Sequence, residues 1–537
     1  MSNISNTIYR ARAELRSRKR NMSSIEKEIF ENLKAFEIAA TAIPIEEVFK
    51  KIGRYDSLYS ENNTYIQNVE GTMINIGTRR GNIDILNYAM KRLRSKIKIY
   101  KSDLMLYNIG NGLLSVAEIK YRSAPSIENL FNISEYREAR KYFFLIKEKH
   151  LFPQAITNYA NILEKYGRNY EAILSYDKAL RVNPEFGMAL GNKGIGIRYY
   201  FNLTHQKDQK LILLARDLLK KALESDNTVK IGGQSAVDYF KSNMTSLNEY
   251  IAANKISYSN KNDLTPKTDY ESFCKKNDVF LNYCFNCYRC EKGLIDEFAP
   301  TFLSIKEDSK EDDIIEHGGM PRKIYYSIKI LNQIVEDYST ARYIYFMSIY
   351  DNFDSIDKAS LYFSALDYCR NSLKYGFKKT SFIKLFNILD KISHLVWSYY
   401  HPSDLKKTYF SSLLRPEYKE TIINRNNFSL LALHDLALDF QDDAFFYRLN
   451  KIRNYLTHDY IDIKEEMNGR DTIEEEFLTK HHLTEEMMDQ YIKDLLSIVK
   501  AALIYFINAL DTDNRKTGNA NKTLTLIIPT QKYIFSE

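Results

Sequence analysis

The sequence predicts an all-α chain in which an array of paired helices in the N-terminal half precedes a bundle of longer helices. Three observations lead there. Glycine and proline are scarce, 19 and 10 among 537 residues, against average usages of roughly 7% and 5%, and all-β folds consume both in their turns. Apolar residues recur at helical spacing over long stretches. Hydrophobic residues at 44% and charged residues at 27% are ordinary for a globular chain and argue against wholesale disorder, a collagen-like class or a membrane class. At roughly 150 residues per domain the length corresponds to three or four domains. The 41 tyrosines could supply stacking surfaces, although AT-rich codon usage produces the same bias.

Seventy-six Lys and Arg against 69 Asp and Glu leave a formal charge of +7, too small an excess to mark a nucleic-acid binder by itself. Five cysteines without a paired framework fit a reducing compartment. Residues 1–20 are basic but lack an apolar signal core, and no stretch reaches about 18 uninterrupted apolar residues. A cytoplasmic location without membrane contact is expected.

Taking the elements in order, Thr7 to Ala42 reads as a helix, and residues 1–71 as an N-terminal basic cap. Arg10, Arg12, Arg16, Arg18, Lys19 and Arg20 are its densest basic cluster. Such a cluster can grip phosphates, while a solvated face partnered by Glu14, Glu26, Glu28 and Glu31 is the plainer reading.

Residues 72–254 read as an array of helix pairs. In Pro153 to Pro184 a first helix carries Ile156, Tyr159, Ala160 and Leu163, a turn falls at Gly167, and a second helix carries Ala172, Tyr176 and Ala179. Small residues where helices cross, large ones beside them and a closing proline resemble the tetratricopeptide (TPR) repeat over one repeat length. Looser copies flank it: Leu106, Ile109, Gly110 and Leu113 with Ala139 and Phe143, and Leu190, Gly194 and Ile197 with Ala215, Leu219 and Ala222. A small superhelix follows, whose concave face would take a protein or peptide ligand; a passive spacer is the alternative.

Residues 255–321 form a linker and a cysteine-containing connector that ends in an acidic run, Glu307 to Glu316. Residues 322–512 then return to long helices, expected at Ile324 to Tyr350, Ile356 to Tyr375, Ser381 to Tyr400, Asn427 to Thr457 and Thr484 to Leu510, which suggests a bundle. The tail, residues 513–537, holds a short strand-like run, Thr523 to Ile528.

Cys274, Cys284, Cys287 and Cys290 share one neighbourhood. Thiolates at such intervals can wrap zinc, but the spacing is tighter than separated knuckles and no histidine stands nearby, so ordinary buried thiols are the plainer reading. Glycine-rich phosphate loops and the His-Glu-x-x-His pattern are absent from the sequence, and the enzyme classes that use them recede. No cofactor or metal is expected.

The informative constellation is Arg453-Asn454-Tyr455-Leu456-Thr457-His458. Phe445, Leu449, Ile452 and Leu456 define the core stripe of its helix, which turns Asn454 and His458 outward on one face and leaves Arg453 on the flank. Arg followed by His at this range arises by chance about once in such a chain, and Asn directly after Arg reduces that to roughly a tenth.

With these blocks in view, Tyr270 to Leu510 resembles the HEPN superfamily, in the prokaryotic subfamily that carries TPR repeats ahead of the domain. Arg453-Asn454 and His458 match its Arg-x4-6-His ribonuclease motif. Glu336 to Arg342 looks like the acidic-aromatic block of the first bundle helix, Lys379 to Tyr400 with Asp390-Lys391 like its Asp-Lys helix, and Leu433 to Phe440 like its Leu-x-Asp-x-x-x-Asp-Phe run. Tyr270, Cys274, Asn277, Leu281 and Asn282 echo its leading segment, and the chain departs from it at Tyr283 and in the added Cys287 and Cys290.

The resemblance implies a metal-independent endoribonuclease in which two subunits of a homodimer bring their Arg-His sets to one cleft. Arg453, Asn454 and His458 are then the catalytic residues, with Asp337, Arg342, Asp390 and Lys391 as accessory positions or, more plainly, as bracing ion pairs. An imidazole can move protons near neutral pH, and Arg453 would hold the scissile phosphate. By analogy the role is defence or toxin-like, with RNA as substrate, a ligand on the TPR surface and a cognate inhibitor as a further conceivable partner. Two alternatives stay open: a non-catalytic HEPN/TPR scaffold that holds nucleic acid or protein, and a TPR regulator whose bundle provides dimerisation.

Overall fold

Caps and turn residues cut the N-terminal half into short helices. The computed structural model describes residues 23–100, 102–203, 209–257, 268–277, 322–350, 362–363, 369–401, 408–464 and 482–516. Among the described residues the α-helices up to Ala253 are α1 (Ser24–Ala39), α2 (Ile45–Tyr59), α3 (Asn63–Arg80), α4 (Ile83–Tyr100), α5 (Asp103–Ser123), α6 (Ile127–Asn132), α7 (Ser134–Phe144), α8 (Phe152–Lys165), α9 (Asn169–Val182), α10 (Gly187–Leu203), α11 (Gln209–Glu224) and α12 (Gly233–Ala253). Ser23 opens α1 with a reciprocal capping box to Glu26, which satisfies donors that a helix start otherwise leaves bare. Asn62 caps α3, and Gly81 ends it at φ 61°, a left-handed conformation natural to glycine. The basic cluster Arg10 to Arg20 lies outside the described residues, as do Tyr283, Cys284, Cys287, Cys290, the acidic run 307–316 and the run 523–528.

The chain is an all-α helical solenoid followed by a helical bundle, and it divides into two compact units. The first comprises Met1–Glu164, Ser175–Lys193 and Lys220–Lys241. Within it α3 packs on α1, α4 and α5, and α5 on α4 and α7. The helix pairing therefore begins upstream of residue 72, where the sequence reading starts the array. Gly110 on α5 lets Phe143 approach so closely that a Cβ there would sit 2.6 Å from the ring. Ile156, Tyr159, Ala160, Leu163 and Tyr176 are all buried, and the Tyr176 hydroxyl donates to Asn161 Oδ1 at 2.7 Å.

Glu164 also belongs to this unit. Burial pushes its carboxyl up to about 8, against a smaller opposing effect of the Tyr176 hydroxyl, and its Oε1 is buried without a hydrogen-bond partner among the described residues. The folded chain thus holds this proton more tightly than the unfolded one. The associated stability is complete below the ordinary carboxyl value near 4.5 and is lost as pH rises through about 8, following proton linkage. In thermal melts from about pH 5 to about pH 9, the wild type should lose stability relative to Glu164→Gln as pH increases.

The second unit comprises Lys165–Leu174, Gly194–Leu219 and Ser242–Glu537. It adds α13 (Asp269–Asn277), α14 (Arg322–Tyr350), strands β1 (Tyr362–Phe363) and β2 (Cys369–Asn371), and α15 (Leu373–Tyr400). A 3-10 helix at Phe410–Leu414 follows, then α16 (Pro416–Arg425), α17 (Phe428–Leu438), α18 (Tyr447–His458), β3 (Asp462–Lys464), β4 (His482–Thr484) and α19 (Glu485–Lys516). α15 is the central helix, packed against α14, α18 and α19, while α17 also lies on α19. Leu385, Leu389, Ile392, Ile334, Ile492, Leu495 and Val499 are buried in this core, at about 1.5–3 kcal/mol per large apolar side chain. α19 runs to Lys516, a few residues into the stretch that the sequence reading gives to the tail.

Two expected helices are corrected. The helix expected over Ile356 to Tyr375 is replaced, where described, by β1, β2 and the first turn of α15. These join β3 and β4 in a small sheet of order β1-β2-β3-β4, antiparallel except for the parallel pair β3-β4. The sheet buries Ile463 opposite Leu483. The helix expected over Asn427 to Thr457 is two helices, broken at residues 439–446, where Asp443 adopts φ 59°. A short polar side chain tolerates that conformation better than most. The break is closed by a hydrogen bond from the Phe446 N–H to the Asp439 carbonyl at 2.7 Å.

Asn427 fixes the start of α17. Its Oδ1 accepts from the N–H groups of Ser429 and Leu430, and its amide donates to Ala509 O and Asp513 Oδ1 on α19. Beside this junction lies Gly167, at φ 78°, where a Cβ would stand 2.3 Å from the Phe428 carbonyl oxygen. The next residue, Arg168, is fully buried and reaches Asp435 at 2.8 Å, Asp439 at 2.5 Å and Glu171 at 2.6 Å.

Candidate functional site

Arg453 and His458 occupy the last turns of α18. Leu449 and Ile452 are buried, Leu456 and Phe445 half-buried, and Asn454 and His458 exposed, so the apolar stripe of α18 faces α15. α18 stops at His458 because Asp459 leaves helical geometry and the chain passes through Ile461 into β3, which is paired on both sides.

Arg453 is held from three directions. Its guanidinium lies over the Phe386 ring, 5.7 Å from the centroid. Its Nη1 donates to Asn454 Oδ1 at 3.1 Å, and its Nη2 stands 3.8 Å from Asp390 Oδ2. The Nε donor is buried and has no hydrogen-bond partner among the described residues. Thr457 donates its hydroxyl to the Arg453 carbonyl at 2.7 Å. The His458 side chain makes no hydrogen bond or ion pair to any described residue. Asn454 is therefore placed on the guanidinium within its own subunit.

Of the accessory positions, Asp390 is joined to Arg453, and its Oδ1 accepts the Phe410 N–H at 2.8 Å. Asp337 is paired instead with Lys384, at 2.6 Å, and with Lys391. Burial raises its pKa, and the two ammonium groups outweigh that effect and hold it below the usual carboxylate range. Arg342 is buried, donates from Nε to the Tyr270 hydroxyl at 3.0 Å and lies over the Tyr270 and Tyr338 rings. Asp337 and Lys391 thus brace α14 against α15, and neither makes a hydrogen bond or ion pair with Arg453.

The break between α17 and α18 creates a feature absent from the sequence reading. A cleft of about 170 Å³ is lined by Phe386, Asp390, Tyr409, Phe410, Ser411, Phe440, Gln441, Asn450 and Arg453. Only Asp390 and Arg453 carry a sequence signal as site residues. Of the others, Phe386 lies on α15 and Asn450 on α18, while Tyr409, Phe410, Ser411, Phe440 and Gln441 come from the 3-10 helix with its leading residue and from the interhelix loop, which no periodicity marks.

Cys274 is buried on α13. Among the described residues no group of three or more His, Cys, Asp or Glu side chains is arranged to hold a metal ion, and none of the described helices is long and apolar enough to cross a membrane.

No curated protein and no solved structure matches the chain. The family model described as LA2681-like HEPN matches residues 320–513, a span that takes in α14 to α18, the small sheet and all but the last residues of α19. This C-terminal bundle, with Arg453 and His458 near the end of one of its helices, is thereby similar to LA2681-like HEPN domains, which supports its place in the HEPN superfamily.

Proposed function

We infer that the chain is an endoribonuclease whose active site is completed by dimerisation of the bundle, and whose helical solenoid, read as TPR-like, receives the protein or peptide that controls it. The observation that carries this reading is the end of α18: a guanidinium braced by Asp390 and Phe386, and an exposed imidazole one turn further on. The HEPN match at residues 320–513 agrees with an RNA-related nuclease function.

The chemistry follows from the groups. One imidazole removes the proton from the ribose 2′-hydroxyl, the 2′-oxygen attacks phosphorus, and the P–O5′ bond breaks. A second imidazole protonates the departing 5′-oxygen. One His458 cannot readily do both at once, and a two-fold dimer supplies two. Arg453 binds the phosphate and offsets charge growing on its oxygens, while Asn454 and Asp390 hold the guanidinium in place. The products carry a 2′,3′-cyclic phosphate and a 5′-hydroxyl. Such an activity, held inactive until triggered, suits a defence or toxin-like effector in the cytoplasm.

A second reading, a scaffold that binds RNA or protein without cutting, draws on the lack of any described side chain that orients the His458 ring. Labelled single-stranded RNA incubated with the purified full chain in excess EDTA separates the two. Fragments with cyclic phosphate ends support the nuclease; retained RNA without fragments moves the assignment to the scaffold.

A further inference from the structure

We propose that the cleft beside Arg453 is a nucleobase subsite, which takes the base of one unpaired ribonucleotide next to the phosphate that Arg453 grips. The proposal rests on the RNA reading above and adds the part of the substrate that is recognised.

The walls of the cleft are aromatic. Phe386 and Phe410 both meet the Phe440 ring edge to face, at 5.8 and 5.5 Å between centroids, and form an apolar floor. Tyr409 stands at the rim, 47% exposed, with a π-face that any base can stack on. The lining is completed by polar groups: the amides of Gln441 and Asn450 and the hydroxyl of Ser411, each able to donate and to accept. These are the requirements of a flat heteroaromatic ring with donors and acceptors around its edge. The cleft is open to solvent on one side, and its volume of about 170 Å³ is many times the roughly 10–15 Å³ that one water needs, so it has room for more than a single solvent molecule.

Charge sets the orientation of the ligand. Arg453 also lines the cleft, and its side chain keeps 24% exposure, so a phosphate oxygen can meet the guanidinium there. A free anion would use the guanidinium and leave the aromatic walls without purpose. An apolar side chain would use the walls and leave Gln441 and Asn450 idle. A nucleotide with its base splayed out uses both, and single-stranded RNA offers such bases whereas paired RNA keeps them stacked.

Two side chains give the test its variants. Asp390 anchors the 3-10 helix that carries Phe410, so it is left intact. Tyr409 and Gln441 are exposed, and Tyr409→Ala and Gln441→Ala should fold. Tyr409→Phe keeps the stacking face. Full-length protein is assayed with a random-sequence single-stranded RNA, for cleavage positions and KM, and with the all-2′-deoxy oligonucleotide, for binding that cannot lead to cleavage. The expected result is a base preference beside the cut that flattens in Tyr409→Ala and Gln441→Ala. Oligonucleotide affinity should fall about tenfold in Tyr409→Ala and return in Tyr409→Phe. If the wild type cuts RNA and both alanine variants keep its base preference and affinity, the subsite is overturned while the nuclease stands. If nothing is cut but oligonucleotide binding drops in Tyr409→Ala and recovers in Tyr409→Phe, the subsite stands and the nuclease reading falls. Absence of both cutting and binding removes both.

Discussion

Replacing His458 with alanine is expected to reduce RNA cleavage by about 10²- to 10⁴-fold, the usual contribution of positioned acid-base catalysis, without disturbing the fold. The side chain is exposed and makes no hydrogen bond or ion pair to a described residue, so its loss should change stability by no more than about 0.5 kcal/mol. Arg453 gives a different signature. Its guanidinium rests on Phe386 and pairs with Asp390, and Arg453→Lys keeps the charge but loses the planar fork. That variant should lower turnover while RNA binding stays near the wild-type level. The dimer requirement is tested by mixing subunits. If each cut uses two imidazoles from two chains, a wild-type subunit paired with a His458→Ala subunit is nearly as impaired as the double variant. A mixed dimer with half the wild-type rate, or a monomer with full activity, would remove the composite site from the mechanism.

Much of this geometry is legible in the residues, and the exceptions have physical causes. The outward placement of Asn454 and His458 follows from Leu449 and Ile452, because burial of two residues three apart fixes the rotation of a helix. α14 keeps nearly its expected bounds for the same reason. The break at residues 439–446 escapes periodicity because Phe440, Phe445 and Phe446 continue an apolar pattern through it; what ends the helix is Asp443 in a left-handed conformation and a carbonyl claimed by Phe446. The strands escape because two or three residues carry too little alternation, and β3 exists through partners distant in sequence. The cleft walls share that property. Tyr409 and Gln441 become neighbours of Arg453 only after α15 anchors the 3-10 helix and α17 stops where it does.

Arg168→Met should destabilise the second unit by about 3–5 kcal/mol, the characteristic cost of removing one partner from a buried ion cluster. α17 is buried nearly all round, from Ser429 to Ala437, and carries Asp435 at 2% exposure, with Asp439 at 0% capping its C-terminus. Carboxylates so far from water need a cation, and Arg168, itself at 0% exposure, meets both through Nη1 while Glu171 takes its Nε and Nη2. Burial disfavours the charged guanidinium, but the surrounding carboxylates outweigh that and raise its pKa. Methionine fills similar volume and supplies no charge, so the loss is electrostatic and not a cavity. Because the chain has two units, which can unfold in separate transitions, the measurement is hydrogen exchange of the α17 amides alongside a thermal melt. Arg168→Met should melt lower and expose α17 first, and replacing Asp435 and Asp439 by apolar residues in the same chain should recover much of the loss. The same substitution reaches the cleft. Asp439 holds the Phe446 N–H and precedes Phe440, whose ring is part of the floor beneath Arg453, so RNA affinity should weaken in Arg168→Met even at temperatures where the chain stays folded. Unchanged exchange in α17 would mean that packing alone holds this helix and that the buried charges contribute nothing to it.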